Sequence, residues 1–413
     1  MTESIAQRSA LIAGARDREG NDPIFALNGE ARTRAAAGES IVNATIGALM
    51  NDDGTLSVMP SVAEGFAAVS PIQAAGYAPI SGVPAFLDAA VRDLFGDSPL
   101  GDMAVATSAP GGTGAIYQAM LNFLEPGQKG LTTSYFWGPY PVIANQAQRG
   151  MDTFRMFGDD GRLDLEAFSD AVDRHIREQG RVLAILNFPC HNPTGYSLDP
   201  NEWRTVADML RAAGERAPVA VLLDCAYYRF AGEGGNAWLD VVPTLLESCT
   251  VLAAWTASKS FTQYGARIGT LVALHPDADE RRRLANALNY TCRSTWSNCN
   301  HQGQLAVARL LTDPELSARA DAERAELAAM LQSRVDAFNR ETQGTGLRVP
   351  RYEGGFFVAV FAEDGAAAGA SMREDGVYVV PIQGAVRVAL CSTPAAQIPR
   401  LVASLTKATG SRP

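Results

Sequence analysis

The residues best suited to chemistry lie in one short stretch, from Val251 to Gly269. An apolar run, Val251–Trp255, predicts a buried strand, and small hydroxyl residues and a single lysine, Lys259, follow it. Most lysines are solvated surface residues, and that is the alternative here. The apolar flanks instead predict partial burial, which favours the neutral amine and lets it form a Schiff base with an aldehyde. Lys259 is therefore the first candidate catalytic residue.

A glycine-rich loop provides a candidate phosphate site. A predicted strand, Met103–Thr107, leads into Ala109-Pro110-Gly111-Gly112-Thr113-Gly114, and a helical pattern then continues to Leu124. Small residues at this position let backbone N–H groups and a helix N-terminus face an anion, although glycine loops also serve as simple tight turns. Together with Lys259, the loop suits pyridoxal 5'-phosphate, an aldehyde that carries a phosphate.

Two more candidates follow predicted buried strands. The strand Val219–Leu223 ends in Asp224, and a charge there is costly unless a cation pairs with it. A protonated pyridine nitrogen would be such a cation, whereas a helix-capping or turn aspartate is the alternative. The strand Val182–Phe188 ends in Pro189-Cys190-His191-Asn192-Pro193-Thr194-Gly195. An aromatic cluster at Tyr135–Tyr140 is either core material or a platform for a cofactor ring.

Helical and strand patterns alternate through the middle of the chain, which favours an α/β fold with a mostly parallel sheet. The helices are predicted at Leu165–Gln179, Pro200–Ala213 and Asp277–Leu288, and the strands at Val182–Phe188, Pro218–Asp224, Thr250–Trp255 and Ile268–Leu274. A long helix, Glu315–Thr342, is then followed by strands at Phe356–Phe361, Gly376–Val380 and Val386–Cys391 and a last helix around Pro394–Leu405. This second pattern predicts a smaller α+β domain.

The length of 413 residues suits two domains. We predict an N-terminal arm and part of the small domain at residues 1–55, a large cofactor-binding domain at 56–312 and a small C-terminal domain at 313–413.

The formal net charge of -10 argues against nucleic acid or an anionic membrane as a partner. The N-terminus lacks a signal-peptide pattern and no apolar run suits a membrane helix, so we expect a cytoplasmic protein. The cysteines and histidines show no metal-ligand spacing, and we expect no metal.

The order of these parts resembles the class I aminotransferases of pyridoxal-phosphate fold type I, closest to the aspartate and aromatic aminotransferase branch. The resemblance extends from Asp22 to Arg387 and is most specific at His191–Gly195 and Pro110–Ala115. Ser258-Lys259 followed by Arg267-Ile268-Gly269 matches the family's lysine signature in outline. The resemblance implies a large domain with a mostly parallel, seven-stranded sheet flanked by helices, and a smaller α+β domain.

The same resemblance implies which residues bind and activate the cofactor. Lys259 would form the Schiff base and move the proton, and Asp224 would keep the pyridine nitrogen protonated. Asn192 and Tyr227, the latter also counted as catalytic, would hydrogen-bond the ring oxygen, while Trp137 would stack on the ring. The phosphate would be held by Gly111, Gly112, Thr113, Thr256 and Arg267, with Tyr77 reaching it from the other subunit.

Substrate binding is implied at two arginines. Arg387 would hold the α-carboxylate as a bidentate fork. Arg293 would cross a dimer interface to hold a distal carboxylate, although a surface arginine at a helix end is the alternative. Such a pair would select aspartate, glutamate and their oxo acids. Gly47, Asn192 and Trp137 complete the implied substrate contacts.

We therefore expect a homodimeric enzyme, with active sites shared across the interface, that transfers the amino group of a dicarboxylic L-amino acid to 2-oxoglutarate. Thr256, Thr262, Gln263 and Tyr140 depart from the family pattern, with Tyr140 standing where histidine is frequent, and they leave aromatic amino acids open as substrates. A pyridoxal-phosphate lyase or decarboxylase on the same scaffold is a second interpretation. A cofactor-dependent transcriptional regulator is disfavoured by the short N-terminal segment and the acidic charge.

Overall fold

The computed structural model describes residues 9–16, 18, 20, 22–232 and 234–410. Residues 1–8, 17, 19 and 21 of the predicted N-terminal arm therefore lie outside the described residues. The first elements are α1 (Ala13–Arg16), α2 (Pro23–Ala36), strand β1 (Val42–Asn43), α3 (Pro60–Ala67), α4 (Pro71–Ala75) and α5 (Pro84–Phe95). The α2 helix begins at Pro23 because the Asp22 carboxylate caps it and accepts the Ile24 N–H at 2.8 Å.

A seven-stranded sheet forms the centre of the molecule. Its strands are β2 (Ala104–Ala109), β3 (Lys129–Thr133), β4 (Gly150–Phe154), β5 (Val182–Leu186), β6 (Val219–Asp224), β7 (Thr250–Thr256) and β8 (Gly269–Leu274). They lie in the order β2-β8-β7-β6-β5-β3-β4. Only β8 runs antiparallel to its neighbours, β2 and β7, and the other pairs are parallel. The mostly parallel α/β sheet predicted from the sequence is confirmed.

Helices cover both faces of this sheet, because alternate residues of each strand point to opposite sides. On β6, Val221 and Leu223 pack into one buried cluster and Leu222 packs into the other. The covering helices are α6 (Gly111–Phe123), α7 (Pro139–Gln146), α8 (Leu165–Gln179), α9 (Pro200–Gly214), α10 (Ala237–Leu246), α11 (Ala257–Ser260), α12 (Ala278–Thr295) and α13 (His301–Thr312). The central parallel strands β5 and β6 are buried at every residue and are therefore almost entirely apolar.

The C-terminal part packs a separate apolar cluster between helices and short strands. It consists of α14 (Pro314–Thr342), β9 (Phe357–Phe361), α15 (Gly365–Glu374), β10 (Val377–Tyr378), β11 (Val380–Ile382), β12 (Ala385–Ala389) and α16 (Ile398–Thr409). The β11, β12 and β9 strands form an antiparallel sheet, and β10 pairs in parallel with β1. Short 3-10 turns occur at Pro99–Met103, Tyr228–Phe230, Leu390–Ser392 and Ala395–Gln397. The pairing of β1 with β10 joins the N-terminal segment to this part of the molecule.

Two sequence predictions need correction. The single strand predicted at Gly376–Val380 is two strands, because the chain pairs with β1 at Val377 and then leaves that strand to pair with Arg387 from Val380. The helix predicted at Asp277–Leu288 continues to Thr295, since no glycine or proline ends it earlier. Over the residues that the structure describes, no helix combines the length and apolarity needed to cross a membrane.

Replacing Leu222 with alanine should remove apolar contacts at the centre of the sheet, where its exposure is 0%. We expect the free energy of unfolding to fall by about 2–5 kcal/mol, measured by urea denaturation. The control is Leu11→Ala, a leucine that is 57% exposed, for which we expect a change within about 0.5 kcal/mol. Equal losses in the two variants would contradict a core centred on β6.

Candidate active site

A cleft lies at the carboxyl ends of β5, β6 and β7, the place where open α/β sheets bind their ligands. Asp224 and Thr256 end β6 and β7, and Asn187 directly follows β5. The cleft is lined by Gly112, Thr113, Ile116, Trp137, Asn187, Asn192, Asp224, Ala226, Tyr227, Thr256, Ser258, Lys259, Tyr264 and Arg267. Parallel strands thus bring together most of the residues selected from separate stretches of the sequence.

Lys259 places its amine inside this cleft, on the short helix α11 that follows β7. Its Nζ donates a hydrogen bond to the Gly47 carbonyl at 2.8 Å and lies 4.6 Å from the centre of the Tyr264 ring. Within the described residues the amine forms no ion pair. Burial, assisted by the positive charges of Arg267 and Arg387, lowers the pKa of Lys259 to about 8. The neutral, nucleophilic amine is therefore accessible near neutral pH.

Asp224 brings a buried carboxylate to the same cleft. Burial raises the pKa of Asp224 to about 6, while the Tyr140 hydroxyl and the Ala226 N–H oppose that shift. The Tyr140 hydroxyl donates to Oδ2 at 2.7 Å, and the Ala226 N–H donates to Oδ1 at 3.3 Å. At neutral pH the carboxylate is mostly ionised and can pair with a cation in the cleft.

A chain of amide hydrogen bonds joins the ends of β5 and β6. The Asn187 Nδ2 donates to the Asp224 carbonyl at 3.1 Å, and its Oδ1 accepts the Asn192 N–H at 2.8 Å. Asn192 in turn donates from Nδ2 to the Tyr227 hydroxyl at 3.4 Å. Burial is the main reason that the pKa of Tyr227 is raised, which keeps the phenol protonated. The arrangement presents an amide and a phenol to one side of the cleft.

The N-terminus of α6 forms a cradle for an anion. No side chain caps this helix, so its first-turn N–H groups are available to an anion. Arg267 is held across them, with Nη2 donating to the Pro110 carbonyl at 3.2 Å and Nη1 to the Ser258 hydroxyl at 3.3 Å. Gly111 has φ of +73°, and a Cβ there would clash with the Arg267 guanidinium. A phosphate fits this combination of amides and guanidinium.

Trp137 and Thr256 complete the set of predicted cofactor residues that line the cleft. Trp137 is half-buried just before α7, and its ring meets that of Tyr140 edge to face at 5.6 Å between centroids. The Thr256 hydroxyl accepts the Ser258 N–H at 3.2 Å and donates to the Ser258 hydroxyl at 3.0 Å. Thr256 lies beside the α6 N-terminus, because a Cβ on Gly112 would contact its Cβ and Cγ2 atoms at 3.7 Å.

Gly47 and Arg387 adjoin the cleft from the C-terminal part of the molecule. Arg387 is buried, lies 4.4 Å over the Phe357 ring and donates from Nη2 to the Thr45 carbonyl at 2.6 Å. Burial lowers the pKa of its guanidinium, and its Nε has no hydrogen-bond partner among the described residues. A buried guanidinium with a free donor is suited to bind a carboxylate.

Five predicted site residues are outside the cleft lining. Gly47, Gly111 and Arg387 contact residues in or beside it, whereas Tyr77 and Arg293 do not in the part of the chain that the structure describes. Tyr77 is 91% exposed, and the exposed Arg293 donates from Nη1 to the Ser297 hydroxyl at 2.6 Å. Both were expected to act on another subunit, and that role stays a prediction.

Sequence reasoning missed five residues of the lining: Ile116, Asn187, Ala226, Ser258 and Tyr264. Asn187 was recognisable as an amide that follows a buried strand. Tyr264 was not, because its position depends on a long-range contact in which its hydroxyl accepts the Leu49 N–H at 2.8 Å.

Comparison with known proteins agrees with this geometry. The family model "Aminotransferase class I and II" matches residues 39–405. A Pseudomonas aeruginosa aspartate aminotransferase is 27% identical over 74% of this chain and 76% of its own. An Anaerococcus prevotii aminotransferase structure superposes with a TM-score of 0.93 at 29% identity, covering 97% of this chain and 100% of that one. A Burkholderia pseudomallei aromatic-amino-acid aminotransferase, covalently bound to pyridoxal phosphate, has a TM-score of 0.80 at 25% identity, covering 96% and 98%.

The chain belongs to the aminotransferase class I and II family and is a pyridoxal-phosphate-dependent aminotransferase. The residues of the cleft fit that cofactor. A buried amine suits its aldehyde, the α6 N-terminus with Arg267 suits its phosphate, and the buried Asp224 carboxylate suits its protonated ring nitrogen. The recognition made from the sequence is confirmed at the level of family, fold, cofactor and enzyme class.

Replacing Gly111 with alanine should weaken cofactor binding, because the added Cβ both disfavours the positive φ and displaces Arg267. We expect the Kd for pyridoxal 5'-phosphate to rise at least about tenfold, as for roughly 1.4 kcal/mol, measured by titration of the apoprotein. The control is Gly29→Ala on α2, outside the cleft lining, where an added Cβ would meet no atom within 4 Å. A Gly111 variant that binds as tightly as this control would contradict the assigned cradle.

Proposed function

We propose that this enzyme transfers the amino group of a dicarboxylic L-amino acid, such as aspartate or glutamate, to a 2-oxo acid such as 2-oxoglutarate. The observation that carries the proposal is the buried Arg387 guanidinium, which has an unpartnered Nε. It lies over the Phe357 ring, which in turn packs against Tyr227 of the cleft that holds the Lys259 amine. A carboxylate bound at Arg387 would place the substrate beside that amine. The arrangement requires a substrate that carries both an amino group and a carboxylate.

Each residue of the cleft has a defined part in this proposal. When bound, pyridoxal phosphate supplies an electron-poor ring that accepts the electron pair left as a proton departs from the substrate Cα. Asp224 would hold the ring nitrogen in its protonated state by charge pairing. Asn192 and Tyr227 would donate hydrogen bonds to the ring oxygen, and the α6 N-terminus with Arg267 would hold the phosphate.

Lys259 would serve as the proton carrier. A general base works best when its pKa lies near the working pH, and burial has brought the pKa of this amine to about 8. The Gly47 carbonyl accepts a hydrogen bond from the amine and so fixes its position at the edge of the cleft. Lys259 can therefore take a proton from the substrate and return it at a neighbouring atom.

The choice of a dicarboxylate rests on Arg293, which is exposed and has no ion-pair partner in the described chain. The relative from Pseudomonas aeruginosa is named an aspartate aminotransferase, which supports the same choice. An aromatic amino acid is the second candidate. It is supported by the apolar lining at Ile116, Trp137 and Tyr264, and by the neighbour named an aromatic-amino-acid aminotransferase.

The proposal includes a homodimer in the cytoplasm. Tyr77 and Arg293 are exposed on one chain and lie outside its cleft, so they would complete the cleft of a second copy. An active site shared in this way requires two chains for full activity. The net charge of -10 disfavours nucleic acid as a partner. The proposed partners are therefore small amino acids and oxo acids.

Removing the Lys259 amine tests the catalytic part of the proposal. We expect Lys259→Ala to lose at least about 10²-fold in kcat for transamination, because the proton carrier is gone. The matched control is Lys129→Ala, an exposed lysine on β3, which should keep its activity. Steady-state turnover in Lys259→Ala at the rate of the unaltered enzyme would rule out this mechanism.

Removing the Arg293 guanidinium tests the choice of substrate. We expect Arg293→Leu to lower kcat/KM for aspartate about 10²-fold, about 3 kcal/mol, while phenylalanine changes little. Arg283→Leu is the control, because Arg283 is an exposed arginine on the same helix that pairs with Glu280. An unchanged ratio of aspartate to phenylalanine would remove Arg293 from the substrate site and favour the aromatic candidate.

A further inference from the structure

Tyr140 forms a hydrogen bond with Asp224 and is itself fully buried. It lies in the first turn of α7, and its hydroxyl donates to Asp224 Oδ2 at 2.7 Å. In the described residues this is the only side-chain hydrogen bond to that carboxylate, and the Ala226 N–H donates to the other oxygen. Each oxygen of the Asp224 carboxylate therefore accepts one hydrogen bond from the protein.

The same ring also contacts Trp137. The two aromatic rings meet at 88°, with centroids 5.6 Å apart, and Trp137 lines the cleft. One buried side chain thus touches two residues that are proposed to face the cofactor ring from different directions. Edge-to-face packing of this kind restricts the orientation of both rings.

A phenol in this position can only donate to the carboxylate and remains uncharged. Burial, followed by the nearby Asp224 charge, raises the pKa of Tyr140 well above its usual value. A hydrogen bond from a neutral donor stabilises the ionised carboxylate without adding a second titrating group. An imidazole at the same place would change its own charge near neutral pH.

We propose that Tyr140 is a positioning residue that holds the Asp224 carboxylate ionised and turned toward the cleft, and that also fixes the ring of Trp137. The proposal rests on the proposed function in one respect, that Asp224 faces the cofactor ring. Tyr140 itself does not line the cleft and would act through these two neighbours.

The charges around Asp224 define the expected pH dependence. Tyr140, Cys225 and Tyr227 are neutral neighbours whose pKa values burial raises, and Lys259 and Arg267 are the cations that line the same cleft. Asp224 is the member of this group whose pKa, about 6, lies on the acid side of neutrality. In the cofactor-free cleft the carboxylate is ionised above that pH and becomes protonated as the pH falls through it. A protonated ring nitrogen paired with Asp224 would lower this pKa, so the acid limb of the holoenzyme lies at a lower pH. Loss of the Tyr140 hydroxyl raises the pKa, so the acid limb moves to a higher pH.

The test compares two buried tyrosines in the holoenzyme. Tyr140→Phe removes the hydroxyl and keeps the ring that packs on Trp137. Tyr196→Phe is the matched control, because the buried Tyr196 hydroxyl donates to the Glu202 carboxylate at 2.6 Å, outside the cleft lining. The readouts are kcat against pH, the rate of pyridoxal phosphate loss on dilution, and the melting temperature.

We expect Tyr140→Phe to lower kcat about tenfold and to release the cofactor about tenfold faster, because a hydrogen bond to a charged group is lost. For the same reason, the acid limb of the kcat profile should move up by about one pH unit. Tyr196→Phe should change only the melting temperature. Tyr140→His, which restores a donor, should recover cofactor retention and add a new titration near neutrality.

The proposal is overturned if Tyr140→Phe keeps the acid limb and the cofactor retention of the unaltered enzyme, or if it resembles Tyr196→Phe. It is also overturned if Tyr140→His retains the cofactor no better than Tyr140→Phe. These failures are distinct from failure of the proposed function, because that would appear as residual turnover in Lys259→Ala. If Tyr140→Phe does not fold, the pH profile of Tyr140→His alone decides, and a profile identical to that of the unaltered enzyme counts against the proposal.

Discussion

The burial of two opposite charges in one cleft, without direct contact between them, is the constraint on which the rest of the structure depends. A buried amine and a buried carboxylate would ordinarily pair with each other, and each would then be unavailable to a cofactor. Here Lys259 donates to the Gly47 carbonyl, and Asp224 accepts from Tyr140 and the Ala226 N–H. Each charge is stabilised by its own neutral partners and stays free to act on a ligand that lies between them.

The surrounding scaffold keeps those two charges at fixed positions. The buried Asp93 on α5 accepts the Trp255 indole N–H at 2.8 Å and also pairs with Tyr228 and Arg229. One carboxylate therefore ties the strand that precedes Lys259 to the segment that follows Asp224. Arg324 of the long helix α14 donates from Nε to the Ser260 carbonyl at 2.9 Å and so holds the end of the lysine helix. The helices α5 and α14, more than the cleft residues themselves, therefore fix the separation between Lys259 and Asp224.

The sequence correctly predicted the site residues whose positions depend only on the strand that precedes them. Lys259, Asp224 and Asn192 each follow an apolar run, and parallel strands must bring such endings to one edge. Tyr264 was missed because its position depends on a contact far along the chain, with Leu49. Asn187 directly follows the buried strand β5 and could have been recognised from that position. The predicted strand Gly376–Val380 was wrong because its division depends on pairing with β1, which no local pattern reveals. The domain limits at 55 and 312 stay predictions. The roles of Tyr77 and Arg293 also stay predictions, because they depend on contacts with a second subunit.

The most direct test of the account is the absorbance spectrum of the purified holoenzyme before and after addition of L-aspartate. The account predicts loss of the visible band of the lysine-bound cofactor, a gain in the near ultraviolet, and reversal by 2-oxoglutarate. That result would establish the cofactor, the half-reaction and the class of substrate in one experiment. A visible band that aspartate leaves unchanged, in protein that phenylalanine converts, would contradict the dicarboxylate proposal and leave the cofactor site intact.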